Sequence, residues 1–191
     1  MTKIFMIHGS KGNPNSHWFP WLKQKLESLG QTVFALEFPN PPEQSLDSWM
    51  EVFDDYLSKV DEDTIFVGHS LGPSFILSIL EKLDLPKPLK ACFFVSGFVG
   101  GTLGVEGMEE YDEINKSFTD KEFNWSKIKS NCKKFVCFMS DNDPYVPLSR
   151  SKELASRLEA EEIVVSDAGH FQEKSGIKEF PQLLNRVKES L

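Results

Sequence analysis

The stretch from Thr64 to Ile79, T-I-F-V-G-H-S-L-G-P-S-F-I-L-S-I, constrains the fold more than any other part of the chain. Thr64–Val67 is a short apolar run rich in β-branched and aromatic residues, as a buried parallel strand is. Pro73–Leu80 reads as an apolar helix. Between them lies Gly68-His69-Ser70-Leu71-Gly72, a G-x-S-x-G pentapeptide, and a strand that passes into a helix through this sequence forms a nucleophile elbow. So sharp a turn puts Ser70 in a strained backbone conformation. It leaves no space for a Cβ at Gly68 or Gly72, and it lifts the Ser70 hydroxyl clear of the sheet at the positive end of a helix dipole. The pentapeptide alone is common; its flanks give it meaning.

Strand and helix patterns alternate on both sides of this segment. Lys3–Ile7, Thr32–Phe38, Ala91–Ser96, Phe135–Met139 and Glu162–Val165 are strand-like. His17–Leu29 is helical, with Trp18, Trp21, Leu22, Leu26 and Leu29 at core-facing spacing and Gly30 as its stop. The Pro39-Asn40-Pro41-Pro42 cluster is a rigid loop, after which Ser45 caps a helix reaching to about Val60. Ser149–Leu158 and the region from Gly176 to Leu191 are helical as well. Such alternation implies right-handed βαβ crossovers: a three-layer α/β/α domain on a mostly parallel sheet of about six strands. The expected unit is a single domain over residues 1–191, with a short flap at about 99–131, the one long stretch outside the rhythm.

Length and composition agree. A chain of 191 residues, 40% hydrophobic and 26% charged, has the size and make-up of one globular domain. The net charge of −8, with no basic cluster, argues against nucleic acid and anionic membranes as partners. The opening run is too short for a signal peptide's apolar core or a membrane span. Cys92, Cys132 and Cys137 have no metal-ligand spacing, and Cys92 and Cys137 fall in strand-like runs. A reduced, cytoplasmic protein is expected. There is no H-E-x-x-H, Walker or G-x-G-x-x-G motif, so neither metal nor nucleotide cofactor is expected.

Ligands of parallel sheets bind beyond the carboxyl ends of the strands. Three further features stand there: His8-Gly9-Ser10, Ser140-Asp141-Asn142-Asp143-Pro144-Tyr145-Val146-Pro147, and Asp167-Ala168-Gly169-His170-Phe171. A serine hydroxyl needs a base to take its proton, and the imidazole of His170 suits that role. An acidic side chain must then hold the ring in the right tautomer. Asp141 and Asp143 compete for this position; Asp143 is preferred because the Pro144–Pro147 turn leads from it into the next helix. The oxyanion of a tetrahedral intermediate needs two backbone N–H donors, assigned to Leu71 and to Ser10 or Lys11. His8 and His69 read as structural or cavity-lining groups, His17 as a helix-start residue and Asp167 as a loop residue. The order Ser…Asp…His is that of α/β-hydrolases.

These segments, together with His17-Trp18-Phe19-Pro20-Trp21-Leu22, resemble the small serine hydrolases related to retinoblastoma-binding protein 9 and the bacterial YdeN proteins. The resemblance covers essentially the whole chain; H-W-x-x-W-L and A-G-H-F are its more specific parts. It implies a compact α/β-hydrolase without a large cap, with Ser70 as nucleophile, Asp143 as acid and His170 as base. The retinoblastoma-binding L-x-C-x-E motif is not present around any of the three cysteines.

Phe98, Tyr145, Phe171 and Trp18 (or Phe19) are expected to line a small acyl pocket. Packing of the core explains Trp18 and Phe19 equally well. Two readings of function follow. One is a serine hydrolase of small acyl esters, with amides and thioesters as neighbouring chemistries. The other is a protein-interaction module on a hydrolase scaffold. The full set of three groups favours the first.

Overall fold

The computed structural model describes residues 1–191. Its centre is one six-stranded sheet in the order β2-β1-β3-β4-β5-β6. The strands are β1 (Lys3–Ile7), β2 (Thr32–Ala35), β3 (Thr64–His69), β4 (Ala91–Val95), β5 (Phe135–Ser140) and β6 (Glu161–Val165). Every pairing is parallel. The helices are α1 (Phe19–Ser28), α2 (Leu46–Asp54), α3 (Gly72–Lys82), α4 (Glu109–Thr119), α5 (Trp125–Ser130), α6 (Leu148–Leu158) and α7 (Pro181–Lys188). No helix is long and apolar enough to cross a membrane.

The two-residue period of a strand divides the core. On β1, Ile4 and Met6 point into a cluster with Phe19, Leu22 and Leu26 of α1 and Leu183 and Val187 of α7. Phe5 and Ile7 point the other way, toward Trp49 and Phe53 of α2, Phe75 of α3 and Leu154 of α6. Helices on both faces leave the central strands no contact with water, which is why β3, β4 and β5 read as unbroken apolar runs. The exposed Glu161 and Glu162 mark β6 as an edge strand and discourage further pairing there.

The three-layer architecture is as expected, and the differences lie at element ends. Helix α1 starts two residues after His17, because His17 adopts φ +57, outside the helical region, and Pro20 then suits the first turn. Strand β2 stops at Ala35; three residues on, the Phe38 N–H donates to His8 Nε2 at 3.1 Å rather than to a neighbouring strand. Ser45 caps α2 as expected, accepting from the Ser48 N–H at 3.1 Å, but the helix tightens into a 3-10 turn at Leu57–Lys59. The C-terminal helix begins at Pro181, after Gly176 has turned the chain at φ +82. The segment 99–131 is more ordered than a glycine-rich flap: it carries α4 and α5, with Phe118 and Ile128 fully buried.

Candidate active site

Ser70 sits at the turn between β3 and α3 with φ +59, the strained conformation that the pentapeptide requires. A Cβ on Gly68 would lie 2.7 Å from Ile76 Cδ1 and 2.8 Å from the Pro73 nitrogen, and one on Gly72 would run into the Ile7 carbonyl oxygen. Helix α3 can thus leave β3 at this angle only with glycine at both places. The Ser70 N–H is held by the Val95 carbonyl of β4 at 2.9 Å. Leu71 and Ser10 lie outside the regular elements, and neither backbone N–H donates to another group of the chain. Gly9 brings the loop after β1 against the serine, since a Cβ there would lie 2.7 Å from Ser70 Cβ.

His170 and Asp143 come together from the loops after β6 and β5. His170 Nδ1 lies 2.8 Å from Asp143 Oδ2 and 3.0 Å from Oδ1, with both side chains almost wholly buried. A carboxylate only accepts, so the Nδ1 proton points to Asp143 and Nε2 keeps a free lone pair. Asp143 Oδ1 also accepts the N–H groups of Tyr145 and Val146, at 2.9 and 3.0 Å, and Oδ2 accepts the Ser96 hydroxyl at 2.7 Å. Such an array holds a buried charge without leaving it unpaired. Asp141 is placed elsewhere: it is exposed and accepts the Asp167 N–H at 2.9 Å.

Three further groups shape this arrangement, among them His69, which the sequence marks as structural or cavity-lining. Ser96, at φ +49 after β4, supplies the hydroxyl to Asp143. Asn142 Oδ1 accepts the Gly169 N–H at 2.8 Å and so tethers the His170 loop to the Asp143 loop. His69 donates Nε2–H to the His170 carbonyl at 2.9 Å. Its own ring is held well below the ordinary histidine pKa, first by burial and then by its neighbours His170 and His17. It is a neutral group beside the candidate base. His8 is fixed likewise, donating from Nδ1 to the Gly9 carbonyl at 2.7 Å.

Ser70, His69 and His170 open onto a cavity of about 140 Å³. Phe98 and Tyr145 lie on its wall, with the Tyr145 ring edge-on to His170 at 5.1 Å. Trp18 and Phe171 do not: both are fully buried in the core behind it, where the Trp18 indole N–H donates to the Phe171 carbonyl at 3.1 Å. Their expected place in the pocket is corrected. An aromatic beside a catalytic motif can face either the cavity or the sheet, and here the α1–α7 side claims these two. Phe19, the alternative to Trp18, does reach the wall, and Leu103, Met108, Tyr111 and Asn115 cover it from the 99–131 segment. No three histidine, cysteine or carboxylate side chains are grouped to hold a metal ion.

A parallel sheet with a strained serine at the β3–α3 turn, and a buried His–Asp pair presented by the loops after β6 and β5, is the α/β-hydrolase arrangement. The serine hydrolase family matches residues 4–189, and the chain belongs to that family. YdeN of Bacillus subtilis (strain 168) is 36% identical over 182 residues, which cover 95% of this chain and 92% of YdeN. Serine hydrolase RBBP9 of Rattus norvegicus is 30% identical over 193 residues, covering 100% of this chain and 96% of the relative. The crystal structure of the B. subtilis ydeN gene product superposes with a TM-score of 0.91 over 100% of this chain and 98% of that one, at 32% identity. The fold likeness extends to Est1E of Butyrivibrio proteoclasticus, solved with ferulic acid bound, at a TM-score of 0.72 and 16% identity over 99% and 87% of the two chains.

Proposed function

We propose that the protein hydrolyses small acyl esters through an acyl-enzyme formed on Ser70. The observation that carries this reading is the buried His170–Asp143 contact at 2.8 Å, on the same cavity as the strained Ser70. As Ser70 Oγ attacks the ester carbonyl, His170 Nε2 takes the hydroxyl proton, and Asp143 stabilises the imidazolium that forms. The charge that develops on the carbonyl oxygen is met by the free N–H groups of Leu71 and Ser10. His170 then returns the proton to the leaving alcohol, and a water attacking the acyl-enzyme by the same route restores Ser70. The size of the cavity supports small acyl groups, since sites for drug-sized ligands run to roughly 300–1,000 Å³. Amides and thioesters share the intermediate and fall within the same chemistry.

Labelling with a fluorophosphonate, together with turnover of short p-nitrophenyl esters, tests the reading. Wild type should label and turn over, and Ser70→Ala and His170→Ala should do neither. A folded wild type that does not label has no activated serine, and the scaffold then serves protein interaction instead.

A further inference from the structure

One polar side chain on the cavity has a role that the triad chemistry does not use. Asn115 of α4 is only 5% exposed and lies on the wall of the cavity that holds Ser70. Its orientation follows from its neighbours. The Ile114 carbonyl can only accept, so the end of Gln44 that faces it at 3.3 Å is the amide NH2. That NH2 can only donate, so the end of Asn115 that faces it at 3.0 Å is the oxygen. The same oxygen accepts the Ser10 hydroxyl, whose own oxygen lies 2.9 Å from Gln44 Nε2 and shares one of its two hydrogens. Asn115 Nδ2 is thereby turned away from the network. It donates to nothing in the chain, and the side chain that carries it lines the cavity.

A buried amide donor that faces a small, partly apolar cavity is a costly group to leave without an acceptor. Ser10 ties it to the reacting centre, because Ser10 follows Gly9, which packs on Ser70. We propose that Asn115 is a specificity-determining residue, and that its Nδ2–H donates to an oxygen in the acyl chain of the substrate. The preferred substrates are then short esters with an ether, hydroxyl or carbonyl oxygen beyond the scissile carbonyl, in preference to plain alkyl esters of the same length. This rests on the reading of Ser70 as the nucleophile.

The test uses three esters of equal chain length: phenyl pentanoate, phenyl ethoxyacetate and phenyl 3-methoxypropanoate. Each is titrated by calorimetry into Ser70→Ala, which binds without turnover, and into Ser70→Ala carrying Asn115→Leu or Asn115→Asp. One of the oxygen-bearing esters should bind the Ser70→Ala protein about 3- to 10-fold more tightly than the pentanoate. The preference should vanish in both double variants. The aspartate matters because it keeps the shape of the side chain and the acceptor for Ser10 and Gln44, while its ionised carboxylate puts a charged acceptor where the donor was. Equal affinities in Ser70→Ala, a preference that survives both substitutions, or binding of none of the esters overturns the proposal. Fluorophosphonate labelling of wild type reports on the hydrolase reading separately. Labelling with equal affinities leaves that reading standing and removes only the role of Asn115.

Discussion

His69 donates its Nε2–H to the backbone carbonyl of His170 at 2.9 Å, and the two rings lie 4.9 Å apart. The residue before the candidate nucleophile thus fixes the backbone of the candidate base. Because the His69 ring is buried and neutral, it adds no charge against the imidazolium that would form beside it.

His69→Leu, which deletes the donor, should lower kcat on p-nitrophenyl esters about 10-fold or more with little change in KM, since small displacements of a catalytic group are costly. His69→Gln should recover most of the loss, because its amide nitrogen reaches to about the same place. Steady-state kinetics of both variants decide; equal losses would leave the hydrogen bond without a positioning role.

Stability should fall on mild acidification. The folded pKa of His69 lies below its unfolded value, so the unfolded chain binds more protons and the folded state loses ground as pH drops below about 6.5. His8 and His17, both lowered chiefly by burial, act in the same direction. For His69 alone the slope approaches about 1.4 kcal/mol per pH unit. Between pH 7.5 and 5, above the range of ordinary carboxylates, Tm should fall by roughly 4–8 °C. His69→Gln should flatten the dependence, and calorimetry that finds the same slope in the variant would assign the effect elsewhere.

The two aspartates of the β5 loop should separate cleanly. Asp143→Asn should lower kcat by roughly 10³- to 10⁴-fold by removing the group that faces His170 Nδ1, and Asp141→Asn by less than about threefold. Ser96→Ala, which removes one donor to Asp143, should fall between them, near 10-fold. The reverse ranking of the aspartates would transfer the acidic role to Asp141.

Gly72→Ala should destabilise the fold by about 3 kcal/mol or more, because its Cβ would meet a backbone oxygen of β1 that cannot move alone. Gly30→Ala has open space around it but the wrong φ, +77, and should cost only about 1–2 kcal/mol. Urea unfolding of both variants checks the contrast; similar losses would mean that the elbow relaxes.

The alternation of apolar runs and amphipathic helices made the three-layer fold legible, because each element's periodicity is a local property of the chain. Ser70, Asp143 and His170 were legible as candidates for a related reason: each follows a strand directly, and parallel strands all end on one side of the sheet. Helix α4 was not, since it has no side-chain cap and its buried residues include the polar Asn115 and Thr119. Trp18 and Phe171 were misplaced because hydrophobicity states that a ring is buried and not which cavity or core it faces.

The sequence by itself determined the elbow and the order of the chemical groups, since glycine spacing, strand ends and turn residues act over a few positions. Only the tertiary structure decided which aspartate meets His170, that Ser96 and His69 hold the pair in place, and that Asn115 joins Gln44 and Ser10 on the cavity wall. Those contacts join residues 27 to 105 positions apart in sequence. They depend on strand register, loop path and the one-way logic of hydrogen-bond donors and acceptors, none of which is written in a local pattern.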